Sequence, residues 1–565
     1  MDRWTAPRTG RSRRPLALLA ASLALAACGS ASPTPAGSAA TSGAAEAGAT
    51  PTTGGTLSIA FQGDIGSLDP AIGYDTVSWP AERLLFDTLV TYDAGTRIVP
   101  LLARTMPTVS ADGRTYTFDL RDGVDFVRPD GSVLRPLRAA DVAASLARLL
   151  DPKLKPAPDP AGADFYADIE GADAVLAGTT STLAGVKVLG PTRVEFDLAR
   201  PDATFLQVLA LPFASIVPAE VAGEDTTAFA AHPVGSGPYL LRSYTKGQAA
   251  VFIRNPHFWD ASRAGPDEID LRVGVDGQAA LQQVEAGSLD LMGDPLPAAA
   301  FGAVTADPRF ARQVVRRTLV ETQYLAMDTQ PPAGSPLADV RVRQAIAQAV
   351  DKSYILKLVH GAGVAAGCIF PPDLPGYDPS CDPYPYDPAA ARRLLAAAGY
   401  PNGFSTTLYT DTDDPDPRIA GALRDDLAAI GVRVDVVAQA FDTYLATIAA
   451  HKAPLAWNGW VQDFPDPSDF IDPLFSCASA GVGNSSNPAF FCDHAIDALA
   501  ARARAEPDGP ARLADYREIQ RRIMAQVPWV PVRFPDYYTL VGSRVRGFAL
   551  HPVWIDDLRS VWLAT

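Results

Sequence analysis

The segment DPAAARRLLAAAG, Asp387 to Gly399, states its own boundaries. An aspartate accepts hydrogen bonds from the free N–H groups of a first helical turn, Pro388 has a φ preset for the first helical position, and Gly399 supplies a residue at ease past a helix end. A second helix is predicted upstream over Asp339–Asp351, DVRVRQAIAQAVD, with Val342, Ile346, Ala349 and Val350 on one face and Asp339 as its cap. Downstream, Gly431–Val437, GVRVDVV, has the composition of a strand.

The same alternation of helix and strand continues outward. TLSIAF (56–61) is predicted to be an entering strand, and AERLLFDTLV (81–90) has apolar residues at helical spacing. TYTFDL (115–120) and RVEFDL (193–198) are matching strands of period two, expected in one sheet of a small lobe, with a helix predicted between them over Ala139–Leu150. Residues 232–260 read as a glycine turn, two strands and an aromatic exit. Gly235-Ser236-Gly237 is followed by Pro-Tyr and a strand rather than by Lys-Ser/Thr and a helix, so it is not a phosphate loop. At 565 residues the chain exceeds what one hydrophobic core supports. The expected class is α/β with several lobes.

Lys and Arg number 48 against 64 Asp and Glu. Five of the arginines lie in the first 28 residues, so the remainder is more acidic still. Sequence-independent nucleic-acid binding needs a basic face, and this balance argues against it.

The N-terminus is the most specific local signal. Arg11, Arg13 and Arg14 precede LALLAASLALAA (16–27), an apolar run of signal-peptide length that is too short to span a bilayer. Leu25-Ala26-Ala27-Cys28 resembles a bacterial lipobox, in which the cysteine is acylated and becomes the mature N-terminus. Residues 1–28 are therefore expected to be a lipoprotein signal peptide and Cys28 the lipidated residue, anchoring the protein to the outer face of the cytoplasmic membrane. Residues 29–55, rich in Gly, Ala, Ser, Thr and Pro, are expected to be a flexible tether.

Four other cysteines, Cys368, Cys381, Cys477 and Cys492, fit disulfides in an exported protein. Three connectivities are open. The local one, Cys368 to Cys381 and Cys477 to Cys492, closes two short loops and is favoured, at roughly 3 kcal/mol each in the chain-entropy treatment. Neither pair has CxxC spacing and the six histidines are scattered, so a metal site is not expected.

No GxSxG elbow, HExxH helix or EF-hand loop is present. The densest chemistry lies in WNGWVQDFPDPSDF (457–470), where aromatic rings accompany Asp463, Asp466 and Asp469, with Asp472 just beyond. A carboxylate flanked by rings is suited to a ligand ammonium, by a charge-assisted hydrogen bond and cation–π attraction. One such carboxylate suffices, and Asp466, Asp469 and Asp472, which follow the prolines, are expected to be caps and turn formers.

Seven collinear stretches, LFDTLVTYD (85–93), DGRTYTFDLRDGVDF (112–126), HPVGSGPYLL (232–241), RNPHFWD (254–260), DVRVRQAIAQAVDK (339–352), DPAAARRLLAAAGY (387–400) and GWVQDFPDPSDF (459–470), resemble the family 5 extracellular solute-binding proteins of ABC importers, the oligopeptide- and dipeptide-binding group. The resemblance implies a periplasmic-binding-protein-like fold, with two large lobes joined by a hinge and a third, smaller one. Lobe I would comprise residues 56–98, 235–322 and 530–565, lobe II residues 99–234, and lobe III residues 323–529. The ligand would be enclosed between lobes I and III and handed to the permease subunits of the importer by a monomer. No cofactor and no enzymatic activity are implied. A peptide or peptide-like amine is the expected ligand. The alternatives are a non-peptide solute such as an oligosaccharide, an opine or a metal chelate, and, outside the family, a secreted hydrolase.

Residue by residue, the resemblance places Asp463 against a peptide α-amino group, with Trp460 and Phe464 beside it. Tyr324 falls at a cleft position, Tyr74 and Thr76 on the loop after Leu68-Asp69-Pro70, and Phe165 and Tyr166 on a lobe II stretch that reaches the cleft. Trp457, also expected at the ligand, stands where oligopeptide binders carry arginine, and Ala326 where they carry glutamate. Those departures imply a more apolar pocket.

Overall fold

The computed structural model describes residues 50–564. The leader and Cys28 lie outside the described residues. The last residues assigned to the tether are pinned to the folded body: Thr52 Oγ1 donates to the Leu563 carbonyl at 2.7 Å and the Gly54 N–H to the Gly265 carbonyl at 3.1 Å.

Three sheets organise the chain. The first has five strands, in the spatial order Tyr239–Thr245, Ala249–Arg254, Glu268–Arg272, Thr56–Ala60, Leu291–Met292. Thr56–Ala60 runs parallel to both its neighbours, and Leu57, Ser58, Ile59 and Ala60 are all buried, so the strand does not show the alternation of a half-solvated one. The second sheet orders Thr108–Val109, Thr115–Asp119, Arg193–Asp197 and Val186–Gly190. Here the two period-two strands pair antiparallel, Phe118 opposite Val194, as their matched patterns predict. Helix Ala139–Leu149 packs its apolar face on this sheet.

The third sheet orders Val314–Thr318, Trp529–Leu540, Glu321–Met327, Leu455–Val461, Ser405–Asp411 and Arg433–Gln439, with Gly363–Ala365 added beside Trp529–Leu540. Both its faces are covered, one by a core containing Leu325, Leu408 and Trp457, the other by a core containing Tyr324, Ala456 and Trp529. The boundaries expected at 322/323 and 529/530 fall inside two of these strands, which pair antiparallel with each other.

Helix caps follow the sequence rules. Asp387 accepts from Ala389 N and Ala390 N ahead of Pro388–Ala397, Asp339 accepts from Arg341 N ahead of Val340–Ala349, and Gly399 has φ +96°. The helix expected over 81–90 is instead Ser78–Leu85, followed by an extended Phe86 and the strand Val90–Tyr92. Its apolar residues serve two cores: Leu84 and Leu85 point into that of the five-stranded sheet, Leu89 and Val90 into that of the four-stranded sheet. A helical spacing of apolar residues thus spans a helix end and a strand start.

The cysteines pair locally, Cys368 with Cys381 and Cys477 with Cys492. His494 lies near the second pair, but disulfide sulfurs are not thiolate ligands for a metal. Among the described residues no helix is long and apolar enough to cross a membrane.

Candidate functional site

Strand Leu455–Val461 leads into the segment that dominates the sequence chemistry. Trp457 and Trp460 are three positions apart, and on a strand an odd separation sends side chains to opposite faces. Trp457 is 1% exposed in the core with Leu455 and Val530. Trp460 faces the other way, and its indole N–H donates to Asp469 Oδ2 at 3.2 Å.

After the strand, Asp466 caps helix Pro467–Phe475 by accepting from Ser468 N at 2.9 Å. Its carboxylate also takes two hydrogen bonds from Arg512, at 2.7 and 2.8 Å, with both side chains buried. That fork fixes the start of the helix. Asp469, in the first turn, reaches back to accept the Asp463 N–H at 3.1 Å, which sets it beside Asp463. Asp472, one turn on, pairs with Arg504 at 3.0 Å.

Asp463 is met from the far end of the sequence. The Tyr74 hydroxyl lies 2.9 and 3.0 Å from its two carboxylate oxygens. The Tyr74 loop is set by Asp75, which accepts from Val77 N and Ser78 N, and by the Trp79 indole donating to the Gly73 carbonyl. The Tyr74 ring packs at 5.4 Å from Phe213, and Phe165 stands edge-on to Phe464 at 6.0 Å.

Burial forces the Asp463 carboxyl up to about 7. Burial, and then the charge of Asp463, raise Asp469 well above the usual carboxylate range. Two neighbouring carboxyls in a low-dielectric site titrate as a pair, and both are held above the usual carboxylate range. Burial, and then the Asp463 charge, push the Tyr74 hydroxyl upward, so it remains a donor.

These residues wall one end of a cavity of about 840 Å³, a size suited to a small organic ligand. Seven aspartates line it, Asp164, Asp168, Asp202, Asp463, Asp469, Asp472 and Asp497, against two arginines, Arg200 and Arg504. The cavity lies between residues 161–208 and residues 460–504, with Tyr74 added from the first segment. The wall opposite residues 460–504 therefore comes chiefly from the stretch expected as lobe II rather than from lobe I. Arg504 bridges the two sides: it pairs with Asp168 and Asp472 at 3.0 Å each, and its carbonyl accepts the Ala203 N–H at 3.0 Å.

Of the residues singled out from sequence, Tyr74, Phe165, Trp460, Asp463 and Phe464 line this cavity together. Trp457, Tyr324 and Tyr166 do not: each is at most 1% exposed, with Tyr324 stacked on Trp529 and the Tyr166 hydroxyl donating to the Val208 carbonyl. Thr76 is exposed on the Tyr74 loop, outside the lining. Asp469, Asp164, Asp168, Asp202 and Arg504 were not expected at a ligand. Asp164 had a signal in its neighbour Phe165; Arg504 sits on a helix with no local mark of function.

The description "Bacterial extracellular solute-binding proteins, family 5 Middle" matches residues 97–481. A di/tripeptide-binding protein 2 of Pseudomonas aeruginosa is 32% identical over 494 residues, covering 85% of this chain and 89% of that protein. Among solved structures, a clavulanic acid biosynthesis oligopeptide binding protein 2 superposes with a TM-score of 0.83 at 27% identity, covering 91% of this chain and 96% of the other. DppA from Helicobacter pylori, solved with the peptide STSA, superposes with a TM-score of 0.76 at 26% identity, covering 91% and 99%. The chain belongs to the family 5 extracellular solute-binding proteins, a family of extracytoplasmic binding proteins rather than enzymes.

Proposed function

We propose that this protein is the lipid-anchored receptor of an ABC importer, capturing a peptide or peptide-like amine between its lobes and passing it unaltered to a membrane permease. The observation that carries the ligand class is the buried Asp463 carboxylate, held by the Tyr74 hydroxyl at the end of an acidic, ring-walled cavity. Such a group is costly to ionise in the empty protein and favourable to ionise beside an ammonium, so the site gains free energy from a protonated amine. The aromatic rings supply apolar area and cation–π attraction for the same group. Relatives named for di- and tripeptides support peptide as the source of the amine. The lipobox at Cys28 supports the anchor.

The test is native mass spectrometry of the protein purified without denaturation, followed by calorimetry with the ligand recovered. A co-purified peptide, and a loss of about 2–5 kcal/mol of binding in Asp463→Asn, are expected, the scale for removing one partner of a buried charged pair. A recovered ligand with no amine, or unchanged affinity in the variant, refutes the assignment.

A further inference from the structure

The loop that carries Tyr74 rests on a buried acid. Glu82, on helix Ser78–Leu85, is 0% exposed, and neither of its carboxyl oxygens has a hydrogen-bond partner among the described residues. Buried polar groups are paired in nearly all cases, so a carboxyl left without partners next to a binding loop calls for a reason beyond stability. Burial, and then the charges of Asp69 and Asp75, push it well above the usual carboxylate range. Glutamine, of the same shape and without charge, is therefore its conservative replacement.

The Glu82 carboxyl fills the side-chain face of Gly73. A Cβ placed on Gly73 would lie 2.0 Å from Glu82 Oε1 and 2.8 Å from its Cδ, with Ser78 Cβ next at 3.2 Å. Gly73 does not adopt a positive φ, so its backbone is open to any residue and it is the space that calls for glycine. The polar groups of residue 73 are held as well. Its N–H donates to the Asp69 carbonyl at 3.0 Å, and its carbonyl accepts the Trp79 indole N–H at 3.0 Å. Asp69 is itself fixed by a buried fork from Arg148, at 2.7 and 2.6 Å. Residue 73 is thus clamped on three sides, and the next residue is Tyr74, whose hydroxyl reaches both oxygens of Asp463. Burial raises Asp463 and the Tyr74 hydrogen bond opposes that rise, so the seating of Tyr74 sets how readily Asp463 ionises for an ammonium.

We propose that Glu82 is a positioning residue for ligand binding: its carboxyl occupies the space left by Gly73 and seats Tyr74 against Asp463, so that positions 73 and 82 act as a complementary pair. The proposal rests on the amine-receptor reading above.

The experiment is a size-swap cycle on the full-length protein, read by calorimetry with the dipeptide Ala-Ala and by hydrogen exchange of the Tyr74 loop in the empty protein. Gly73→Ala drives its methyl onto Glu82 and is expected to weaken Ala-Ala binding about tenfold or more, the scale of a hydrogen bond to a charged group. Glu82→Ala removes the support under the loop and weakens binding as well. The two together should bind within about threefold of the parent, because the new methyl takes the vacated space. Glu82→Gln, which keeps the shape, should bind far closer to the parent than Glu82→Ala does. On a Tyr74→Phe background the Glu82→Ala loss should disappear, which a general loss of stability would not produce. A double variant no tighter than Gly73→Ala, or a Glu82→Ala loss that persists in full without the Tyr74 hydroxyl, overturns the proposal. Should Gly73→Ala alone fail to fold, recovery of folded protein on adding Glu82→Ala is the same rescue, and no recovery overturns it. Exchange in the loop should quicken in each single variant and slow again in the double one; equal exchange in the parent and all three overturns the proposal whether or not Ala-Ala binds. Equal binding of Ala-Ala and N-acetyl-Ala-Ala by the parent defeats the amine reading instead, and the exchange cycle then carries or overturns the role of Glu82 by itself.

Discussion

The strongest expectation is that amine binding depends on pH with two limbs, and the structure sets the lower one. In the empty protein burial holds Asp463 up at about 7, with Asp469 raised further. A ligand ammonium needs the Asp463 carboxylate ionised, so below about 7 each binding event must displace a proton. The affinity present above that pH is lost as pH falls, by up to tenfold per unit. Between about pH 7 and pH 5 the loss approaches 100-fold, or about 2.7 kcal/mol. The upper limb belongs to the ligand, because a peptide α-amino group deprotonates near 8 and then presents no charge. The profile is therefore a bell centred between the two values. Isothermal titration calorimetry at a series of pH values, in pairs of buffers with different ionisation enthalpies, reads both affinity and proton count. About one proton should be released per ligand near pH 6, and little near pH 7.5. In Asp463→Asn the lower limb should vanish, leaving a weak affinity that no longer falls with acid. A flat affinity from about pH 5 to pH 7.5, or no proton release near pH 6, refutes the placement of Asp463 as the titrating anchor.

Four further outcomes follow from the same geometry. For the empty protein the sign of the Asp463 effect on stability is opposite to its effect on binding: a carboxyl raised above its unfolded value costs stability as pH rises through its folded value. Asp463→Asn should therefore melt at the same temperature as the parent or higher at about pH 8, by calorimetry, and a clear loss of stability would refute the sign of this effect. Arg512→Leu strands the buried Asp466 carboxylate and should cost about 3–5 kcal/mol in urea unfolding, with part of that recovered by adding Asp466→Asn, which keeps the helix cap. Replacing Cys477 and Cys492 together by serine opens a 15-residue loop of which Ala478, Ser479, Asn484 and Ser486 form part of the cavity wall; a stability loss of about 3 kcal/mol and weaker ligand binding are expected by chemical unfolding and calorimetry. Arg504→Gln removes the ion pairs that tie Asp168 to Asp472 across the cavity, so the empty protein should open, with a larger radius of gyration in X-ray scattering and an affinity lower by about tenfold, the scale of one partly buried pair; an unchanged radius and affinity would show that other contacts hold the two walls together.

How much of this was legible in the chain depends on the range over which each feature is encoded. Helix caps are local, and Asp387 and Asp339 act where their spacing put them. The partnership of the strands at 115–120 and 193–198 was legible because each carries one buried face, so period two survives. That cue fails in the third sheet, which is covered on both faces: nothing in WNGW tells which tryptophan meets a core and which a cavity, and Trp457 and Tyr324 lie in cores for that reason. The family resemblance and the flanking rings single out Asp463, yet its surroundings in the fold are contributed from elsewhere. Its hydrogen-bond donor, Tyr74, is 389 residues away, and Asp469, which accepts its backbone N–H, was expected only as a cap or turn former because two prolines stand beside it. The cation that ties the walls, Arg504, is one of two arginines in the last turn of the helix His494–Ala505, and only the approach of Asp168, 336 residues earlier, distinguishes it. A binding site whose charge comes from one wall and whose counterpart comes from the other carries its specificity in the closure of the chain, so composition along any single stretch underestimates it.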